Sequence, residues 1–265
     1  MTSRRDLRTW IAEHRDNPIL SAAARVSAKY LRAYENQVQW DVHTNGEAFA
    51  LEQVVRAAAG DVFDVGANAG SWALMAARVA PERRIHSFEL SDRTFARLRS
   101  AVASNPRIIA NPFGLGERPE DVTFQYYPDS DDRSSLVVVP DGFDKQQATG
   151  RLETGDGYVS GHGVERIAYL KIDVEGAEMS VLRGFHESFE RGIVAAVQFE
   201  HGPAHVVTRH LLIDFVEFFE RIGFAVCRMF PRRLEWLRYD PVQHENFTGS
   251  NFLAVRADVS RALFG

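Results

Sequence analysis

Five apolar runs, at residues 62–65, 85–90, 108–113, 167–174 and 194–199, alternate with stretches of helical periodicity at 70–80, 92–103, 176–190 and 208–222. Short runs that are hydrophobic throughout read as strands buried on both faces. Strand alternating with helix then forces a parallel sheet covered by helices on both sides, an α/β class. Two more runs, at 224–230 and 252–255, flank a loop holding Pro231, Pro241 and Gly249 and extend the far end of the sheet to seven strands. The rhythm breaks at 121–163. There 122–127 (Val-Thr-Phe-Gln-Tyr-Tyr) and 135–139 (Ser-Leu-Val-Val-Val) read as a β-hairpin excursion around a polar tip, followed by a Gly-rich stretch at 150–163.

Ahead of the sheet, Leu7, Trp10 and Ile11, then Ile19, Leu20, Ala23, Val26, Tyr30 and Leu31, recur at helical spacing on either side of Asn17-Pro18. This gives an N-terminal helical extension over 1–46, suited to a lid or a homodimer contact, with Trp10 and Tyr30 as packing residues. The main domain runs from 47 to 265. A length of 265 residues fits one core with an appendage. One cysteine, Cys227, excludes a disulfide framework and any multi-thiolate metal site, and so points to a reducing, cytoplasmic setting. No apolar run reaches the ~20 residues of a membrane span. With 31 Lys+Arg against 36 Asp+Glu, a net −5, and Arg pairs scattered along the chain, neither nucleic acid nor a membrane is an expected partner.

The densest local signal lies at 62–74. The first strand ends at Asp64-Val65, Gly66 permits a tight turn, and Gly70 stands where a helix begins, so backbone amides face whatever fills the turn. A dinucleotide fingerprint needs glycine at the first, third and sixth positions, which here hold Gly66, Asn68 and Ser71. NAD is disfavoured. The pattern is instead an acid two residues before Gly-x-Asn-x-Gly, with a second acid, Glu89, ending the next strand. Glu89 can accept both hydroxyls of a ribose, and Asp64 can sit near an ammonium. A nucleoside with a zwitterionic tail, S-adenosylmethionine, satisfies both.

The second acidic strand end is Asp173, followed by Glu175 and Glu178 at the start of the next helix. The segment Leu-Lys-Ile-Asp-Val-Glu-Gly-Ala-Glu at 170–178, together with the loop at 62–70, resembles the FkbM family of S-adenosylmethionine-dependent methyltransferases. Supporting segments are Phe-Glu-Leu-Ser at 88–91, Gly-Leu-Gly at 114–116, Ser-Ser-Leu at 134–136, Val-Gln-Phe-Glu-His at 197–201 and Asn-Phe-Leu-Ala-Val at 251–255. The resemblance spans roughly 47–256. It implies a Rossmann-like class I methyltransferase fold and O-methylation of a hydroxyl on a sugar or a glycosylated or polyketide-like natural product. Its cofactor positions fall on Asp64, Gly66, Ala67, Asn68, Gly70 and Glu89, with Leu115 beside the adenine.

Methyl transfer to an alcohol needs the acceptor oxygen held in line and a base to take its proton. His201, after Glu200 at a strand end, has a suitable intrinsic pKa. Asp173 is the competing base, and Glu175 is placed to bind substrate hydroxyls. Glu178 reads as a helix-start acid, which stabilises by about 0.3–1 kcal/mol. Asp173, Glu200 and His201 would also suit Mg²⁺, but strand-end acids are common without a metal, and none is assigned. Arg133, Ser134, Ser135, Tyr126 and Tyr127 belong to the excursion expected to overhang the acceptor, and Asp129, Asp131 and Asp132 form its solvated tip. N-methylation of a small amine or peptide, and a non-catalytic nucleoside-binding relative, are the alternative readings.

Overall fold

The computed structural model describes residues 6–127, 135–137, 142 and 144–264. The chain separates into two units, 1–39 and 40–265. The first carries α1 (Leu7–Glu13) and α2 (Pro18–Tyr34), split where Asn17 caps α2 by accepting from the amides of Ile19 and Leu20. Neither helix has a buried residue, so Trp10 and Tyr30 are exposed rather than packed as expected. The second unit begins at Trp40. The polar stretch before residue 47 belongs to it because Gly46, with φ of 106°, lies so close to the Phe230 carbonyl that a Cβ would sit 2.6 Å from its oxygen.

The second unit runs α3 (Glu47–Ala57), β1 (Asp61–Val65), α4 (Ser71–Val79), β2 (Ile85–Phe88), α5 (Asp92–Val102), β3 (Ile108–Asn111), β4 (Gly114–Leu115), β5 (Glu120–Tyr126), β6 (Gln146–Glu153), α6 (Gly155–Gly161) and β7 (Ile167–Ile172). It continues with α7 (Glu178–Arg183), α8 (His186–Glu190), β8 (Ala196–His201), α9 (Ala204–Thr208), α10 (Leu212–Arg221), β9 (Phe224–Phe230), β10 (Arg233–Trp236), α11 (Pro241–His244), β11 (Ser250–Arg256) and α12 (Ala257–Phe264). The main sheet has the order β10-β9-β11-β8-β7-β1-β2-β3. The five strands from β8 to β3 are parallel, and β11, β9 and β10 close the far side antiparallel. It therefore has eight strands, not the seven expected. The extra one, β10, pairs with β9 across Pro231-Arg232, and its Arg233 and Glu235 are the charged residues that suit an exposed edge.

Alternation of side chains divides the core into two layers. Val62, Ile85, Tyr169, Ala196 and Leu253 pack with α3 and α4 through Leu51, Val54, Trp72 and Met75. Phe63, Phe88, Leu170, Val197 and Phe199 pack on the other side with Leu182, Phe185, Phe215 and Phe219. The expected single helix at 176–190 is two, α7 and α8, and at Gly184 between them a Cβ would be 2.0 Å from the Gly116 carbonyl oxygen.

The excursion is a second sheet, β4-β6-β5. The expected hairpin pairing is corrected. The antiparallel partner of β5 is β6; among the described residues Ser135 meets β5 in one antiparallel bridge, to Gln125, and residues 138 and 139 of the expected second strand lie outside them. The Gly-rich stretch at 150–163 contributes the end of β6 and the whole of α6. Gly150 serves there as a contact point, because a Cβ would strike the Leu90 side chain at 2.4 Å.

Candidate cofactor and acceptor site

The sheet order reverses between β1 and β7, and open α/β sheets bind ligands beyond the carboxyl ends of their strands at such a point. Three strand ends meet here: β1 leading into Gly66, β2 into Glu89 and β7 into Asp173. The turn after β1 is built from left-handed residues, Gly66 at φ 79°, Asn68 at 46° and Gly70 at 91°. Gly66 is also fixed by proximity, since a Cβ would lie 1.8 Å from the Asp173 carbonyl oxygen. Glu89 locks the other side. One of its oxygens accepts from the Asn68 amide and the other from the Ser91 amide, both at 2.9 Å. Burial raises the Glu89 pKa, and those two amides oppose the rise.

Beneath the turn lies Lys171, which sequence reasoning passed over. Its Nζ is 3.2 Å from Asp64 Oδ1 and 3.3 Å from Asp173 Oδ2, and it donates to the Gly66 carbonyl at 3.1 Å. Burial works against the ammonium, but Asp64, Asp173 and Glu47 outweigh it and hold the pKa far above its ordinary value. Asp64 is fully buried, with its own pKa raised by burial and lowered by Lys171. Its Oδ2 is enclosed and has no hydrogen-bond partner among the described residues.

Glu178 shapes the acceptor rim. Its carboxylate accepts from the amides of Val174 and Gly176, at 3.0 and 2.9 Å, and so holds the bend that carries Glu175 at φ 54°. Ile172 pairs with Phe199, so the residues that follow, Asp173 and Glu200, leave adjacent strands together. Oxygens of Asp173, Glu175 and Glu200 lie within 4.8 Å of one another. Burial, then the charges of Asp173 and Glu175, push Glu200 well above the ordinary carboxylate range, and it shares a hydrogen bond with Asp173. These surroundings favour the protonated form of Glu200.

His201 is not brought to this rim. Val197, Phe199 and His201 share one face of β8, while Gln198 and Glu200 share the other, so His201 is buried on the α10 side against Phe215 and Phe247. It donates from Nε2 to the His210 carbonyl at 3.2 Å. Burial and the neighbouring His205 depress its pKa to about 4. The period-2 pattern at 196–201 contained this signal.

A cleft opens above these elements. Gly66, Asn68, Glu89, Leu115, Asp173 and Glu175 line it, with Leu90 and the overhanging Ser135 and Leu136. Asp64, Ala67, Gly70 and His201 do not. Ala67 is buried in the core layer with Trp72, and Gly70 faces Leu98 on α5. The Ser135 hydroxyl donates to the Glu175 carbonyl at 2.6 Å, tying the overhang to the acceptor rim. Tyr126 and Tyr127 are buried in the second sheet region, while Arg133, Ser134 and the Asp129–Asp132 tip lie outside the described residues.

The methyltransferase FkbM domain matches residues 64–238, from Asp64 through the whole acidic rim. The chain belongs to the FkbM methyltransferase family. Among its relatives is the hexuronic acid methyltransferase AglP of Haloferax volcanii, 25% identical over 195 residues that cover 69% of this chain and 76% of that protein. Methyltransferase sdnD of Sordaria araneosa is 28% identical over 156 residues, 48% of this chain and 60% of that one. The AMB antimetabolite synthetase AmbE of Pseudomonas aeruginosa is 26% identical over 181 residues, 54% of this chain and only 8% of that protein. An FkbM methyltransferase from Methylobacillus flagellatus has a solved structure that aligns with a TM-score of 0.49 at 15% identity, covering 74% of this chain and 43% of that one. The FkbM domain here thus matches a small part of AmbE and 58–76% of the three other curated relatives.

Proposed function

We propose that this FkbM methyltransferase uses S-adenosylmethionine to O-methylate a hydroxyl of a sugar or of a glycosylated or polyketide-like small molecule. The observation that carries the reading is one cleft lined by a ribose-type acid, Glu89, and by Asp173 and Glu175, whose oxygens lie within 4.8 Å of Glu200.

The residues fit the cofactor. Glu89 would hold the ribose hydroxyls and Leu90 and Leu115 the adenine, while the Gly66–Asn68 turn would take the amino-acid tail. When bound, the cofactor supplies a methyl group on a cationic sulfonium. The work of the chain is on the acceptor side. Asp173 accepts the hydroxyl proton as the oxygen attacks, Glu175 hydrogen-bonds a neighbouring hydroxyl, Glu200 donates to Asp173, and Lys171 fixes the Asp173 carboxylate in place. The oxygens of Asp173, Glu175 and Glu200 lie within 4.8 Å of one another and could also hold a divalent cation, but no step is routed through one.

Calorimetry is expected to give a Kd of order micromolar for S-adenosylmethionine or its demethylated product, about −8 kcal/mol. Glu89→Gln should weaken it roughly tenfold, about 1.4 kcal/mol. Absence of binding by either ligand overturns the cofactor reading. An acceptor screen with product fragmentation distinguishes methyl on oxygen from methyl on nitrogen. His201→Gln is expected to leave the pH–rate profile of turnover in place, since the ring does not reach the cleft. A lost acid or base limb in that variant would restore His201 as the base.

A further inference from the structure

Helix α2 presents an unusual surface. At 3.6 residues per turn, Ser21, Arg25, Lys29 and Arg32 fall in an arc of about 80°. The remaining circumference is apolar apart from Ser27. Ile19, Val26, Tyr30 and Tyr34 on that side are 77%, 67%, 65% and 63% exposed. In α1, Leu7, Trp10 and Ile11 are exposed as well. No acidic residue occurs between Asn17 and Tyr34. Residues 1–39 hold 7 of the 31 Lys+Arg and 4 of the 36 Asp+Glu, a net +3 that leaves −8 for residues 40–265.

An apolar face this wide is costly in water and calls for a cover. Charge selects the occupant. Two copies of α2 meeting through their apolar faces would cover the apolar arc but leave both basic crests turned outward without a counter-charge, with no carboxylate on either helix to form the flanking pairs that steer helix association. An anionic bilayer surface supplies both halves of what α2 lacks: an acyl boundary for the apolar arc and phosphates for the crest. Because the apolar arc exceeds half the circumference, the helix would sink until only its crest emerges, which puts Arg25, Lys29 and Arg32 at the level of the phosphates. Trp10, Tyr30 and Tyr34 pair an apolar ring with a polar tip, as residues at a membrane interface do. With 17 residues and three charges, α2 is too short and too polar to span, and no helix among the described residues is long and apolar enough to cross a membrane.

We propose that the N-terminal helices dock this chain onto anionic lipid, with the apolar arc of α2 in the interface and its basic crest among the headgroup phosphates. This replaces the expectation of no membrane partner and is independent of the methyl acceptor. Co-sedimentation of the full chain with phosphatidylcholine vesicles, with and without phosphatidylglycerol, tests it. Binding to the anionic vesicles is expected to be on the order of 100-fold tighter and to weaken as salt screens the three cations. Arg25→Glu with Lys29→Glu and Arg32→Glu should abolish that preference, and Val26→Asp with Tyr30→Asp should abolish binding to both vesicle types. All five side chains are exposed, so each variant is expected to keep the thermal midpoint of the parent. Failure to sediment with either vesicle overturns the proposal. So does a dimer, detected by light scattering, that Val26→Asp with Tyr30→Asp dissociates, since a second copy would then be the cover.

Discussion

Asp173→Asn is expected to lower kcat by about 10²- to 10⁴-fold, the range that a positioned general base supplies, while S-adenosylmethionine binding measured by calorimetry stays within severalfold of the parent. The amide keeps the shape of the side chain at the rim but cannot take the acceptor proton. The companion variant is Glu200→Gln. If Glu200 acts as a neutral donor to Asp173, the Gln amide can replace it and turnover near neutral pH should persist. If Glu200 were the ionised base, turnover would collapse. The pH dependence gives a second readout. Burial beside Asp173 and Glu175 raises the folded-state pKa of Glu200 above its unfolded value. The folded chain then binds the proton more tightly than the unfolded one, so this contribution to stability is complete below the unfolded pKa and is lost as pH rises through the folded one. Glu200→Gln, which cannot ionise, should lose less stability than the parent on the alkaline side. An identical fall in thermal midpoint with pH for both proteins would show that Glu200 is already ionised.

Lys171→Met is expected to cost about 3–5 kcal/mol of stability, the penalty for removing one partner of a buried charge cluster. The loss comes less from the missing cation than from the anions left behind. Asp64 is fully buried, Glu47 nearly so, and both already have raised pKa values despite Lys171. Without the ammonium, both carboxyls shift further up and bind protons on folding. The variant should therefore recover stability as pH falls toward the ordinary carboxylate range, down to where other acid-sensitive groups take over. Chemical denaturation at neutral and mildly acidic pH measures this, and a variant equally destabilised at both would refute the electrostatic account.

Much of this arrangement could be read from local pattern. Asp64, Gly66, Asn68 and Gly70 lie within seven residues, and the turn needs positive φ at three of them, which Gly and Asn tolerate. Glu89 and Asp173 were readable because each ends an apolar run. What escaped depends on pairing across distance. Lys171 joins Gly66 from 105 positions away, and nothing near it in sequence marks it as the buried cation. Strand β6 was hidden because Gln-Gln-Ala-Thr-Gly-Arg-Leu-Glu has little β-branched content and forms only against β5. His201 was preferred to Glu200 on intrinsic pKa, a property of the free side chain, whereas the parity of β8 decides which of two neighbours reaches the rim. The helical leader was legible as helix, but its exposure depends on tertiary packing and could not be read from periodicity.

Gly66 and the Asp173 carbonyl leave no room for even a methyl group between them. The two strand ends therefore meet through backbone, and on the proposed reading the spacing between the Gly66 turn and Asp173 is set by that contact rather than by side chains that can repack. Adjustability has to reside in the overhang, where the Ser135 hydroxyl is tethered to the Glu175 carbonyl. If the proposed reading holds, a change of acceptor range is best sought by exchanging the excursion between β4 and β6 as a cassette, leaving the contact between Gly66 and Asp173 intact.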